Sequence, residues 1–254
     1  MTDSCVPQYS YDHSGKHYST GRGTDPRIAA RLWRHLDLQQ NILNIGAGTG
    51  SYEPPNSNLV AVEPSPVMIA QRSHTAGPAV QALAGQLPFT DQAFDQVMTV
   101  LSMHHWPDQQ QAFAEIGRVG RSRFVALSWD PDCEPFWLTR DYFPEIIAMD
   151  RKIFPRLQQL GDCFARVDIE TLPIPADCQD GFFAAYWKRP EAYLDKRVRD
   201  CMSTFARIKN LDKGLKRLAQ DLESGAWQQR NSDLMQRQEL DAGYRLLIAR
   251  LDQA

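Results

Sequence analysis

Apolar residues dominate short runs in the first half of the chain: Ile42 to Ile45, Leu59 to Val62, Gln96 to Leu101 and Arg123 to Ser128. Runs of this length bounded by turn residues predict strands covered on both faces, as in a parallel sheet. Between them the period becomes helical. Asp25 followed by Pro26 predicts an N-cap and a first helical position, and Ile28, Ala29, Leu32, Trp33 and Leu36 continue one face for about 12 residues. Ser65-Pro66 repeats the start signal with Met68 and Ile69 turned to the sheet, and Asp108 to Val119 forms a further helix. Phe164 to Ile169 and Gly243 to Arg250 predict two more strands, so residues 174–240 are a long excursion between them. There Leu194, Val198, Cys201, Met202, Phe205 and Ile208 keep a helical period, as do Leu211, Leu215, Leu218 and Leu222, which predicts a helical cap.

Composition narrows the partners. At 254 residues the chain can bury a substantial core, and one domain with an elaborate cap suits it best. A formal charge of −3 without a long Lys/Arg run speaks against nucleic acid. The N-terminus has no signal pattern and no stretch is long and apolar enough to span a membrane, so the expected location is cytoplasmic. The five cysteines lack a Cys-x-x-Cys pair, which predicts free thiols and no metal site. A soft-ligand substrate held by cysteines converging in space is the alternative, with no spacing to support it.

The first strand ends in Gly46, Gly48 and Gly50, where a backbone without Cβ atoms turns sharply and lets a ligand approach. Glu63 closes the second strand, where a carboxylate can accept the hydroxyls of a ribose. A dinucleotide fingerprint needs a small residue opening a long helix after the turn, but here Ser51 is followed by Tyr52-Glu53-Pro54-Pro55, leaving room for one helical turn at most. A pyrophosphate would lack its helix.

With Ala84-Gly85-Gln86-Leu87-Pro88-Phe89 and Ser102-Met103-His104-His105-Trp106 in order downstream, residues 9 to 128 resemble the class I S-adenosylmethionine-dependent methyltransferases. The similarity is to the small-molecule group that includes ubiquinone/menaquinone-type and trans-aconitate-type enzymes. It implies a Rossmann-like, doubly wound α/β fold with a seven-stranded sheet, the last strand antiparallel, plus the cap. It further implies S-adenosylmethionine as cofactor and S-adenosylhomocysteine as product, held by Gly46, Ala47, Gly48, Gly50, Glu63, Pro64, Ala84, Gly85 and Leu101, with Tyr18 and Arg22 at the methionine end. On this reading residues 1–24 are an N-terminal lid, 25–173 the cofactor-binding core, 174–240 the cap and 241–254 the closing strand. The sequence departs from the family pattern at Leu83, where an acid is usual, and at Gly120-Arg121-Ser122, where Pro-Gly-Gly is usual.

Methyl transfer is an in-line displacement that needs acceptor, methyl and sulfur collinear, and a hydroxyl acceptor must also lose a proton. His104 and His105 are the candidate bases, and adjacent positions at a strand end predict that one of them faces the cleft. Trp129, Phe136, Trp137, Tyr142, Phe143 and Phe154 crowd a stretch that can wall a cleft, and in the cap Phe182, Phe183, Tyr186, Trp187, Arg189, Tyr193 and Arg197 combine rings and cations. Of these, with Trp106, the candidates for a carboxylate-bearing or aromatic small molecule are Trp137, Tyr142, Tyr186, Trp187, Arg189 and Arg197. O-methylation of such an acceptor is the favoured function. The alternatives are a catalytically inactive cofactor-binding regulator and an RNA or protein methyltransferase; a nicotinamide oxidoreductase is disfavoured by Ser51 and the proline pair.

Overall fold

The computed structural model describes residues 21–251. The lid expected at residues 1–24, with Tyr18, therefore lies almost wholly outside the described residues. The strands are β1 Asn41–Ile45, β2 Asn58–Val62, β3 Ala79–Val80, β4 Phe94–Val100, β5 Gly120–Trp129, β6 Arg166–Thr171, β7 Ile174–Pro175, β8 Glu239–Leu240 and β9 Tyr244–Arg250. Among the described residues seven of them form one sheet in the order β3-β2-β1-β4-β5-β9-β6. Neighbours from β3 to β5 run parallel, while β9 is antiparallel to both β5 and β6. This is the doubly wound sheet with an antiparallel last strand that the sequence pattern implied.

Burial alternates along the strands and divides the interior into two cores. Helices α1, Pro26–Trp33, α2, Pro66–Ala70, α3, Gln109–Val119, and α4, Glu145–Asp150, precede the cap. Val125 and Leu127 of β5 face α1 and the cap, while Phe124 and Ala126 face α3. Asp25 caps α1 as predicted, its carboxylate accepting from Arg27 N at 2.9 Å and from Gln179 N at 3.0 Å. The helix has 8 residues rather than about 12. It unwinds through Leu36 because Gln96 holds the following Asp37 by a reciprocal pair of 2.9 Å bonds, which turns the chain into β1.

Two further expectations shift. Phe164 is not in the sixth strand, which begins at Arg166; its ring packs against Phe113 and Phe124, with centroids at 5.8 and 5.6 Å, and that core contact stops the chain from becoming extended sooner. In the cap, the run from Leu194 to Ile208 is not one helix. Asp195 and Met202 adopt extended backbone, so it divides into a 3₁₀ turn, Pro190–Leu194, and helices α5, Lys196–Asp200, and α6, Ser203–Ala206. Asp195 starts α5 by accepting from Arg197 N at 2.8 Å. Helix α7, Leu211–Glu223, is continuous as predicted. β7 and β8 pair antiparallel at the two ends of the excursion and bring it back to the sheet. No helix among the described residues is long and apolar enough to cross a membrane.

Candidate active site

The strand order reverses between β1 and β4, so the C-terminal edges of those strands open a crevice. The glycine turn folds back across it. Gly46 N and Ala47 N both donate to Val62 O, at 2.8 and 3.0 Å, with φ of +67° at Gly46 and +54° at Gly48. Glu63, 5% exposed, accepts from Gly48 N at 2.8 Å through Oε2 and from Ser65 N at 2.9 Å through Oε1, tying the two strand ends together. No helix forms after the turn. Instead Glu53 is buried in a pair with Arg72 at 2.8 Å and accepts from Asn44 Nδ2 at 3.0 Å, so an ion pair braces the segment that a helix would otherwise fix.

Above the turn lies a cavity of about 350 Å³, within the range of small-molecule pockets. Gly46, Ala47, Gly48, Glu63, Pro64, Ala84 and Leu101 border it, as the sequence led one to expect, and so does Arg22. Leu83 also lines it in place of the usual acid. Gly50 and Gly85 do not. Gly50 turns the chain at φ +94° over the Glu53–Arg72 pair, and Gly85 packs on Gln111. Two polar atoms of lining residues, Asn44 Oδ1 and Trp106 Nε1, are buried without a hydrogen-bond partner. A buried carboxylate at one strand end, an apolar strip and unmet polar atoms fit a nucleoside.

A second chamber of about 60 Å³ adjoins the first and shares Arg22, Leu101 and His105 with it. Trp129, Phe154, Phe182, Phe183 and Tyr244 make its aromatic walls, and Met202 closes it from the cap. His104 borders this chamber alone, stacked on Phe154 with centroids 4.3 Å apart. The expectation that one histidine faces the cleft and its neighbour turns away fails because Met103–His105 is a 3₁₀ turn, where successive side chains point about 120° apart rather than to opposite faces. His104 Nδ1 is buried without a partner. Burial, aided by the charges of His105, Arg207 and Arg22, holds the His104 pKa well below the usual value. Burial with Arg207 and Arg22 lowers that of His105 to about 4. Both rings are neutral at pH 7. Asp150 at the chamber wall is paired with Arg207, and burial raises its pKa against that cation.

The expected acceptor residues fare worse. Trp106 lines the larger cavity, not the chamber. Trp137 and Trp187 are core residues, Trp137 Nε1 donating to Trp187 O at 2.7 Å and Trp187 Nε1 to Ile174 O at 2.9 Å. Tyr142 donates to Asp221 at 2.7 Å, Arg189 stacks on Tyr186 at 4.7 Å, and the Arg197 side chain is 91% exposed beside Asp195. None of these six borders either space. The walls come instead from Phe154, Phe182, Phe183 and Met202. Of these, Phe182 and Phe183 belong to the mixed aromatic and cationic set that the sequence offered for an acceptor pocket and Phe154 to the aromatic stretch expected to wall a cleft, while Met202 had only its place in a helical period. Of the described cysteines only Cys201 borders the chamber, and no three His, Cys, Asp or Glu side chains among the described residues are grouped to hold a metal.

Comparison with known proteins agrees with this geometry. The methyltransferase domain family matches residues 43–123. The crystal structure of a protein from Anabaena variabilis, assigned as a methyltransferase from an antibiotic biosynthesis pathway, superposes with a TM-score of 0.81 at 32% identity, covering 90% of this chain and 98% of that one. Phosphoethanolamine N-methyltransferase 2 of Haemonchus contortus, in complex with S-adenosylmethionine, shares the fold with a TM-score of 0.59 at 15% identity, over 98% of this chain and 59% of that one. A rice (Oryza sativa subsp. japonica) chloroplastic 2-methyl-6-phytyl-1,4-hydroquinone methyltransferase is 25% identical over 176 residues, 65% of this chain and 51% of the relative. The chain thus spans about half the length of the curated relatives it matches. With the glycine turn and Glu63 in place and a near full-length relative at 32% identity, the chain belongs to the class I S-adenosylmethionine-dependent methyltransferases.

Proposed function

We propose that the protein methylates a hydroxyl oxygen of a small, uncharged aromatic molecule bound in the chamber beneath the cap. The observation that carries this reading is the junction: Arg22, Leu101 and His105 border both spaces, so the chamber adjoins the cavity assigned to the cofactor. S-adenosylmethionine, when bound, supplies an activated methyl group. The protein's part is to hold the acceptor in line and exclude water, which in well-oriented cases lowers a barrier by about 7–11 kcal/mol. Aromatic walls favour a ring. Both arginines that act on the histidines are already paired, Arg22 with Asp180 and Arg207 with Asp150, which favours a neutral acceptor over a carboxylate. The rice relative's name, a hydroquinone methyltransferase, points the same way.

The histidine pKa values decide how the proton leaves. Removing it beforehand from a phenol of pKa about 10 to the His105 ring, near 4, would cost roughly 8 kcal/mol, and the His104 ring is depressed in the same direction. A hydroxyl oxygen that is gaining a methyl group becomes strongly acidic, and a neutral imidazole of low pKa then accepts the proton readily. His104 Nδ1, buried at the chamber without a partner, is placed to receive it. Incubation with labelled S-adenosylmethionine and panels of phenols, hydroquinones, aromatic carboxylic acids and amines tests the proposal by mass spectrometry of the products. Methyl ethers are expected; labelled esters or amines, or no transfer to any phenol, would overturn it.

A further inference from the structure

Asp180 lies in the excursion between β6 and β9 and was not singled out by its sequence. Its side chain is fully buried. Oδ1 accepts from Arg22 Nε at 2.7 Å, Gly23 N at 3.2 Å and Gly181 N at 2.6 Å, while Oδ2 accepts from Tyr52 OH at 3.0 Å and Arg22 Nη2 at 3.2 Å. Tyr52 belongs to the segment after the glycine turn and is itself anchored, Tyr52 N donating to Thr24 Oγ1 at 3.0 Å and Tyr52 O accepting from Trp33 Nε1 at 2.8 Å. Asp180 therefore joins the cofactor turn, the chain entering the core and the cap at one carboxylate. Two and three residues on, Phe182 and Phe183 line the acceptor chamber.

Arg22, whose guanidinium Asp180 grips, borders both cavities. In-line transfer requires the methyl group to face the acceptor, so the sulfonium must sit where the two spaces meet, and an unneutralised arginine there would repel it. We propose that Asp180 is a positioning residue that cancels the charge of Arg22 at this junction and so lets the site accept a cationic donor. The inference rests on the larger cavity holding S-adenosylmethionine, and it extends that reading to a residue outside the cofactor motif.

The two cofactor forms provide the test, because S-adenosylmethionine carries the sulfonium charge and S-adenosylhomocysteine does not, while carboxylate, ammonium, ribose and adenine are common to both. A merely structural contribution weakens both ligands alike. Calorimetric Kd values at pH 7.5 are to be compared for the wild type, Asp180→Asn, Arg22→Gln and the double variant. At an effective dielectric near 20, a unit charge about 12 Å away changes binding about tenfold. Asp180→Asn is therefore expected to raise the ratio Kd(S-adenosylmethionine)/Kd(S-adenosylhomocysteine) by about tenfold or more. Arg22→Gln should lower the ratio, since Gly23 N, Gly181 N and Tyr52 OH still hold the Asp180 carboxylate in place with no cation beside it. The double variant should return it to within about threefold of wild type. Equal weakening of both ligands in Asp180→Asn, or an unmoved ratio in Arg22→Gln, overturns the proposal even if one variant fails to fold. If neither ligand binds the wild-type protein, the assignment of the cavity falls, and the proposal with it.

Discussion

His105 is half-buried at the junction of the two cavities and keeps its ring neutral down to about pH 4, whereas in the unfolded chain it takes a proton near 6.5. Between those values the unfolded state binds more protons, so stability is fully present above pH 6.5 and is lost as pH falls towards 4. From pH 7.5 to 5 the loss assignable to His105 is about 2 kcal/mol. Urea unfolding of wild type and His105→Asn at both pH values checks this: the variant is expected to lose correspondingly less, and equal losses would mean that the ring is protonated in the folded protein too. His104 acts in the same direction, since burial depresses its pKa as well. The sequence shows two histidines in a row. Only their enclosure by Phe154, Arg207 and the cap makes them weak bases.

At the scale of elements, packing overrides propensity in a way that two glycines separate. Gly214 sits inside α7 and Gly117 inside α3, and either would ordinarily gain up to about 1 kcal/mol on replacement by alanine. A Cβ at Gly214 would stand 2.2 Å from Cε1 of Phe143, which is fully buried with its ring 5.7 Å from that of Phe205. Nothing lies within 4 Å of a Cβ at Gly117. Gly214→Ala is therefore expected to destabilise by about 1–3 kcal/mol and Gly117→Ala to be neutral or stabilising by up to about 1 kcal/mol. Denaturant midpoints at constant m-value decide it, and a stabilised Gly214→Ala would show that α7 does not press on Phe143 as described. The same competition broke the predicted Leu194–Ile208 helix. Its apolar spacing is helical, but Asp195 and Met202 adopt extended backbone, and residues 201–204 border the chamber.

For the molecule as a whole, a ligand that binds only the folded state stabilises it by mass action, about 2.7 kcal/mol at a hundredfold excess over Kd. S-adenosylhomocysteine at that level should raise Tm by roughly 5–10 °C in a chain of this size, and NADH should not. No shift with the first and a shift with the second would reassign the cavity to a dinucleotide. The cofactor side was legible in the sequence because its determinants are local. A strand, a turn that needs positive φ at Gly46 and Gly48, and an acid at the next strand end lie within about two dozen residues, and backbone sterics alone dictate their use. Sheet composition was legible for the same reason, since each strand announces itself by its own apolar run. The acceptor side was not. Trp137, Trp187 and Arg189 have the composition of a binding pocket, yet Trp137 and Trp187 are core and Arg189 is stacked on Tyr186, because which face of a cap segment turns inward depends on partners more than a hundred residues away in sequence, as Asp180 and Tyr52 show across 128 residues. The sequence by itself thus determined the strands, the glycine turn and the nucleoside site through short-range rules of strand, turn and charge, and through its family resemblance it implied the fold class and the methyl donor. Only the tertiary structure decided which rings wall the chamber, that both histidines are neutral, and that Arg22 is held by Asp180, since burial and charge pairing are properties of residues brought together by the fold.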